Sequence, residues 1–197
     1  MNVIEYRIDE EDEDSGVFAI SLVNQPAIES DFVTLNSIKV DLKVTDEERG
    51  LLMGAVLIPN KPIFRRDADG EEYNIYFSKE TVRKASELYL KRGFQSSTTL
   101  EHRQKLKDNF IVETWIKEDE QKDKSTIYGI DAPVGSWLAS IKISDPEVMK
   151  LAKSGVINGF SIEGLFTDKV EASIEEEILE LLNKLQNERK QNNPSKD

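Results

Sequence analysis

The sequence predicts an α+β fold in which short, mostly antiparallel strands form a barrel or a curled sheet flanked by helices. Short apolar or alternating runs recur along the chain, which is the pattern of strands rather than of long core helices. Only two helical patterns interrupt them, with a third near the C-terminal end. Strict strand–helix–strand alternation is missing, which argues against a doubly wound parallel sheet.

The elements follow in order. Residues 2–7 read as a strand, followed by the acidic run Asp9-Glu10-Glu11-Asp12-Glu13-Asp14. That run lacks the ligand order and closing glutamate of a calcium-binding loop, so it reads as a solvated turn. Val17 to Val23 is an apolar run suited to a buried strand, stopped by Asn24-Gln25-Pro26. Residues 27–44 show no clear period and read as an arm or irregular strand. Thr45-Asp46-Glu47-Glu48 has capping-box spacing, although Gly50 leaves room for only one helical turn. Leu51 to Pro59 is a strand, 60–70 a loop, and Glu72 to Phe77 a strand. Ser78 caps a helix whose apolar positions are Val82, Ala85 and Leu88, ending at Arg92-Gly93. Ser96 to Glu101 runs extended into His102. Strands are predicted at Asn109–Lys117, Ile127–Ala132 and Trp137–Ile143, with a polar hairpin loop at 118–125. Asp145-Pro146 starts a second helix that Gly155 stops. Val156 to Phe166 is the strand bearing Ser161. Finally, Ser173 and Glu176 form a capping box for an amphipathic helix carrying Ile174, Ile178, Leu181, Leu182 and Leu185, followed by a polar tail. The expected organisation is N-terminal strands and arm at 1–49, a core at 50–168, and the helix and tail at 169–197.

Composition narrows the function. The chain has 197 residues and a formal net charge of −12, which disfavours non-specific nucleic-acid binding. It contains no cysteine, so disulfides, thiolate nucleophiles and cysteine zinc sites are excluded. A single histidine, His102, rules out multi-histidine zinc motifs. A carboxylate site for magnesium or calcium is left open by these counts, but with the acidic run read as a solvated turn no cofactor or metal is expected. No apolar run is long enough to span a bilayer, and the start Met1-Asn2-Val3-Ile4-Glu5-Tyr6 lacks the features of a signal peptide. A cytoplasmic setting is the expectation.

Chemistry concentrates in Gly159-Phe160-Ser161-Ile162-Glu163-Gly164 and in His102. A serine nucleophile needs a base for its hydroxyl proton, and imidazole is suited to that task. A carboxylate commonly holds the imidazole in the useful tautomer. The glycines stand at −2 and +3 around Ser161, not at −2 and +2 as in the hydrolase elbow, and no helix follows at once. Taken alone, the stretch reads either as a nucleophile strand whose small residues admit a substrate carbonyl or as a close backbone packing point. His102 reads either as a base or as a surface residue, and Glu113 as a polar residue on an exposed strand face. Trp115 and Trp137 read as core aromatics. Arg65 and Arg66 read as solvated loop charges or as a site for a substrate carboxylate.

Several segments resemble the phage prohead, or capsid-maturation, proteases, especially their XkdF-like branch. These are Gly54-Ala55-Val56-Leu57-Ile58-Pro59-Asn60, Thr99-Leu100-Glu101-His102, Ile111-Val112-Glu113-Thr114-Trp115-Ile116, Pro133-Val134-Gly135-Ser136-Trp137, and Lys153-Ser154-Gly155 with Gly159 to Gly164. They span about residues 50–168, and their order and spacing make the set specific. The group is similar to herpesvirus assemblin proteases, whose fold is a β-barrel surrounded by helices.

The resemblance implies a serine endopeptidase with Ser161 as nucleophile and His102 as base. The third assemblin member is a second histidine, which this chain lacks, so a carboxylate or a dyad is implied. Glu113, on the strand after His102, is the first choice. Glu163 is the runner-up, because the strand period of two places it on the Ser161 face. The assemblin oxyanion arginines have no evident match. The implied partners are scaffold protein and major capsid protein as substrates, together with self-association, with no nucleic acid and no membrane. The implied setting is the host cytoplasm, inside the assembling prohead. Self-cleavage by analogy points to Ala27-Ile28-Glu29 and Ile178-Leu179-Glu180. The alternative is a catalytically inactive protease-fold assembly or scaffold protein.

Overall fold

The computed structural model describes residues 3–9, 11–24, 42–46, 48–66 and 69–168. The expected C-terminal helix, both self-cleavage segments and most of the predicted arm lie outside these residues. The fold is strand-rich α+β, and among the described residues twelve strands form three four-stranded sheets.

The first sheet joins β1 (Val3–Arg7), β5 (Ile63–Arg66), β6 (Glu72–Tyr76) and β12 (Thr167–Asp168) in the order β12-β1-β6-β5. The second joins β3 (Lys43–Asp46), β4 (Leu51–Leu57), β9 (Phe110–Ile116) and β10 (Trp137–Lys142) in the order β3-β4-β10-β9. The third joins β2 (Gly16–Val23), β7 (Thr98–Leu100), β8 (Gln104–Lys105) and β11 (Gly159–Leu165) in the order β11-β2-β7-β8. Pairing is mostly antiparallel; β1–β6 and β2–β7 are parallel.

No closed barrel forms among the described residues. The second and third sheets instead meet at a seam. There Leu42 N donates to Asn158 O at 2.8 Å. A Cβ at Gly54 would stand 3.3 Å from the Phe160 ring, so glycine lets β4 and β11 approach.

The core lies between the sheets. Ile20, Leu22, Leu52, Ile75, Trp137 and Ile141 are almost completely buried within it. Helix α1 (Lys79–Lys91) closes it, because Val82, Ala85 and Tyr89 recur on one face. Ser78 Oγ accepts from Thr81 N and caps its start. Tyr89 meets the Trp137 ring edge-on, with centroids 5.4 Å apart. Burial pushes the Tyr89 phenol well above its ordinary pKa.

Three local expectations need correction. Predicted strand 127–132 is a short helix, α2 (Lys124–Ile127), followed by an irregular segment. Asp123 Oδ1 accepts from Ser125 N at 2.8 Å and starts the helical turn, while Gly129, at φ +69°, ends it. Ile130 and Ala132 then pack on Met53 and Leu138 as a second small core without joining a ladder. Predicted loop 60–70 contains strand β5, because Phe64 and Arg65 pair with Asn74 and Tyr73 across a hairpin. Arg65 and Arg66 therefore belong to a strand, and Arg66 ion-pairs with Glu72. Thr45 lies in β3 rather than capping a turn; Asp46 Oδ1 accepts from Arg49 N at 2.9 Å instead.

Asp123 carries a pH signature. Burial works to raise its carboxyl pKa, but hydrogen bonds from Ser125 and the Trp115 indole outweigh burial and hold it below the ordinary value. A depressed folded value means stabilisation that is present above the ordinary carboxylate pKa of about 3.9 and lost as pH falls through the folded value. The Trp115 indole N–H resonance should therefore shift in acid as α2 loosens, and Asp123→Asn should flatten that response. An unchanged acid response in the variant would sink the assignment.

Candidate active site

The site is built on one face of the third sheet. Along β11, Phe160 turns toward the core at 3% exposure, so by the strand period Ser161 and Glu163 face the opposite way. Ser161 pairs directly with Ser21 of β2, and Ser21 with Thr99 of β7. Directly opposed residues share a sheet face, so a polar row Ser161–Ser21–Thr99 crosses three strands. The other face of those strands carries Ile20 and Leu22, both fully buried.

His102 stands at the tight turn between β7 and β8. Glu101 and His102 both adopt left-handed backbone, at φ +52° and +54°, and Arg103 N donates to Leu100 O at 3.1 Å to close the turn. Consecutive left-handed residues are the geometry that Asn-Gly usually fills. Holding glutamate and histidine there costs on the order of 1–3 kcal/mol each. Contacts with β2 and its C-terminal end offset that cost. Glu101 N donates to Leu22 O at 2.9 Å, Asn24 N donates to the Glu101 carboxylate at 2.7 Å, and His102 N donates to Ser21 Oγ at 2.9 Å.

The imidazole then meets a carboxylate. His102 Nδ1 lies 3.2 Å from Glu163 Oε1, and the same oxygen accepts a hydrogen bond from the Thr99 hydroxyl. Ser161 and Glu163 are two residues apart on β11, about 7 Å along the strand. Engagement of Nδ1 leaves Nε2, across the ring, for a second partner. His102 and Glu163 are 42% and 24% exposed in their side chains, so the pair is open to solvent on one side.

Glu113 occupies a different place. On β9 it ion-pairs with Lys124 and accepts from Ser140 Oγ at 3.3 Å. With Tyr128, Arg49 and Met53 it lines a cleft of about 400 Å³ on the second sheet. Lys124 also lies 5.6 Å from the Trp115 ring centroid, a cation–π contact. The carboxylate beside His102 is thus Glu163, the runner-up from the sequence.

Gly164 does not serve as space for a substrate. A Cβ there would stand 2.5 Å from Gly16 O, so the glycine admits the β2 backbone at the irregularity after Glu163. Gly164→Ala should cost about 1–3 kcal/mol by overpacking. Thermal unfolding checks this, and an unchanged Tm would contradict it.

Two further residues of this face are not singled out by the sequence as site residues. Ser21 sits inside an apolar run, and Thr99 inside an extended segment; only strand pairing brings them to the site. Among the described residues, no cluster of three or more His, Asp or Glu side chains is placed to hold a metal ion. No described helix is long and apolar enough to cross a membrane.

Ser161 thus lies on the β11 face that also bears Glu163, the carboxylate that meets His102; a serine, a histidine and a carboxylate are the groups that serine hydrolases combine. The chain belongs to the family described as "Putative phage serine protease XkdF", whose model matches residues 37–171. No curated protein and no solved structure matches it.

Proposed function

We propose that this phage protein is a serine endopeptidase acting in the host cytoplasm, inside the assembling prohead, where it cleaves scaffold and capsid proteins and itself. The contact between His102 Nδ1 and Glu163, on the sheet face that bears Ser161, is the observation that carries the reading. In this scheme Ser161 Oγ attacks the scissile carbonyl while His102 Nε2 takes its proton. Glu163 accepts the Nδ1 hydrogen, fixing the tautomer and stabilising the imidazolium that forms. His102 then returns the proton to the departing amine, leaving an acyl group on Ser161. Water, activated by the same imidazole, releases the acid product.

Glu113 is the competing third member from sequence. Its carboxylate is paired with Lys124 on the second sheet, which favours Glu163 as the partner of His102 in this reading.

The test is co-expression with the neighbouring scaffold and major capsid proteins, followed by intact-mass analysis. Time-dependent trimming is expected. Treatment with a fluorophosphonate should place its label on Ser161 in peptide maps. Untrimmed partners together with an unlabelled Ser161 would favour the non-enzymatic assembly role.

A further inference from the structure

Ser21 is fully buried on β2, between the strand that leads into His102 and the strand that carries Ser161. Buried hydroxyls in a strand interior need a partner, and this one has a specific partner. Its Oγ accepts the backbone N–H of His102 at 2.9 Å. That peptide belongs to the second of two consecutive left-handed residues, neither of them glycine. Of the three hydrogen bonds that offset the turn's strain, one uses a β2 backbone carbonyl and one uses the Glu101 side chain with a backbone N–H. Only the bond at Ser21 depends on which side chain β2 presents. The same residue is the direct cross-strand partner of Ser161, so their Cα atoms stand about 4.5–5.5 Å apart.

We propose that Ser21 is a positioning residue that sets the His102 backbone against the nucleophile strand. The inference rests on the Ser161–His102 reading above. Ser21 touches neither substrate nor reacting atoms; it acts through the histidine's main chain. Without the acceptor, the part-buried His102 N–H has no partner on β2, and the turn relaxes toward ordinary backbone. The imidazole then moves relative to Ser161, and displacements near 1 Å cost on the order of 10²-fold in rate.

The test compares Ser21→Ala, Ser21→Cys and Ser21→Thr in the full chain. The readouts are the rate of fluorophosphonate labelling at Ser161, peptide turnover resolved into kcat and KM, Tm, and hydrogen exchange of the His102 amide. Alanine should lower the labelling rate and kcat roughly 10–100-fold, with KM near the parent value, Tm lowered by no more than a few degrees, and faster His102 exchange. Cysteine is close in size but a poor acceptor, so it should behave like alanine. Threonine keeps the acceptor and should restore most of the rate. Parental labelling in Ser21→Ala, or parental behaviour in Ser21→Cys, would overturn the inference alone. A parent chain that does not label at Ser161 would overturn the proposed reaction and with it this role for Ser21.

Discussion

Ser161→Ala should abolish trimming of co-expressed scaffold and capsid proteins, with turnover reduced by about 10⁴-fold or more. Ser161 is part-exposed on the polar face of β11, where alanine leaves no buried cavity. Folding stability should therefore change by no more than about 0.5 kcal/mol. The loss would be chemical: no hydroxyl remains for His102 to deprotonate. Mass spectrometry of the partners over time reads the result directly. Trimming at the parental rate in the variant would remove Ser161 from the mechanism.

Glu163→Gln should lower kcat by roughly 10³- to 10⁴-fold while leaving KM much less affected, as expected when a histidine loses the carboxylate that fixes its tautomer. Glutamine has nearly the same shape and can still accept from Thr99. It cannot supply the negative charge beside an imidazolium. Glu113→Gln provides the contrast. It removes the ion pair with Lys124, so α2 and the second sheet should loosen while turnover stays close to the parent. A reversal, with Glu113→Gln inactive and Glu163→Gln near normal, would return the third position to Glu113.

The local grammar of the chain was largely readable. Ser78 and Asp145 cap helices where their sequence context predicts. The runs at Val17–Val23, Leu51–Leu57 and Trp137–Lys142 form strands, because apolar continuity reports burial on both faces. Ile130 and Ala132 mislead for the same reason: burial without backbone pairing leaves the same apolar trace as a strand. The period of two puts Glu163 on the Ser161 face, so that part of the site could be read in advance. Preference for Glu113 came from resemblance. Which carboxylate reaches His102 depends on β2 lying between β7 and β11, a pairing among segments far apart in sequence. No window of local periodicity records it. Ser21 is hidden by the same logic, as one hydroxyl in an apolar run.

Strand β2 has a consequence for how this protein is divided. The family match begins at residue 37, yet Gly16–Val23 is the strand to which both β7 and β11 are hydrogen-bonded. The histidine and the serine have no ladder in common; each is aligned to an intermediary that precedes the recognised region. A fragment trimmed to the match would keep every candidate catalytic side chain and lose their common ruler. Conversely, a separate peptide carrying Gly16–Val23 is the natural piece with which to reconstitute such a fragment.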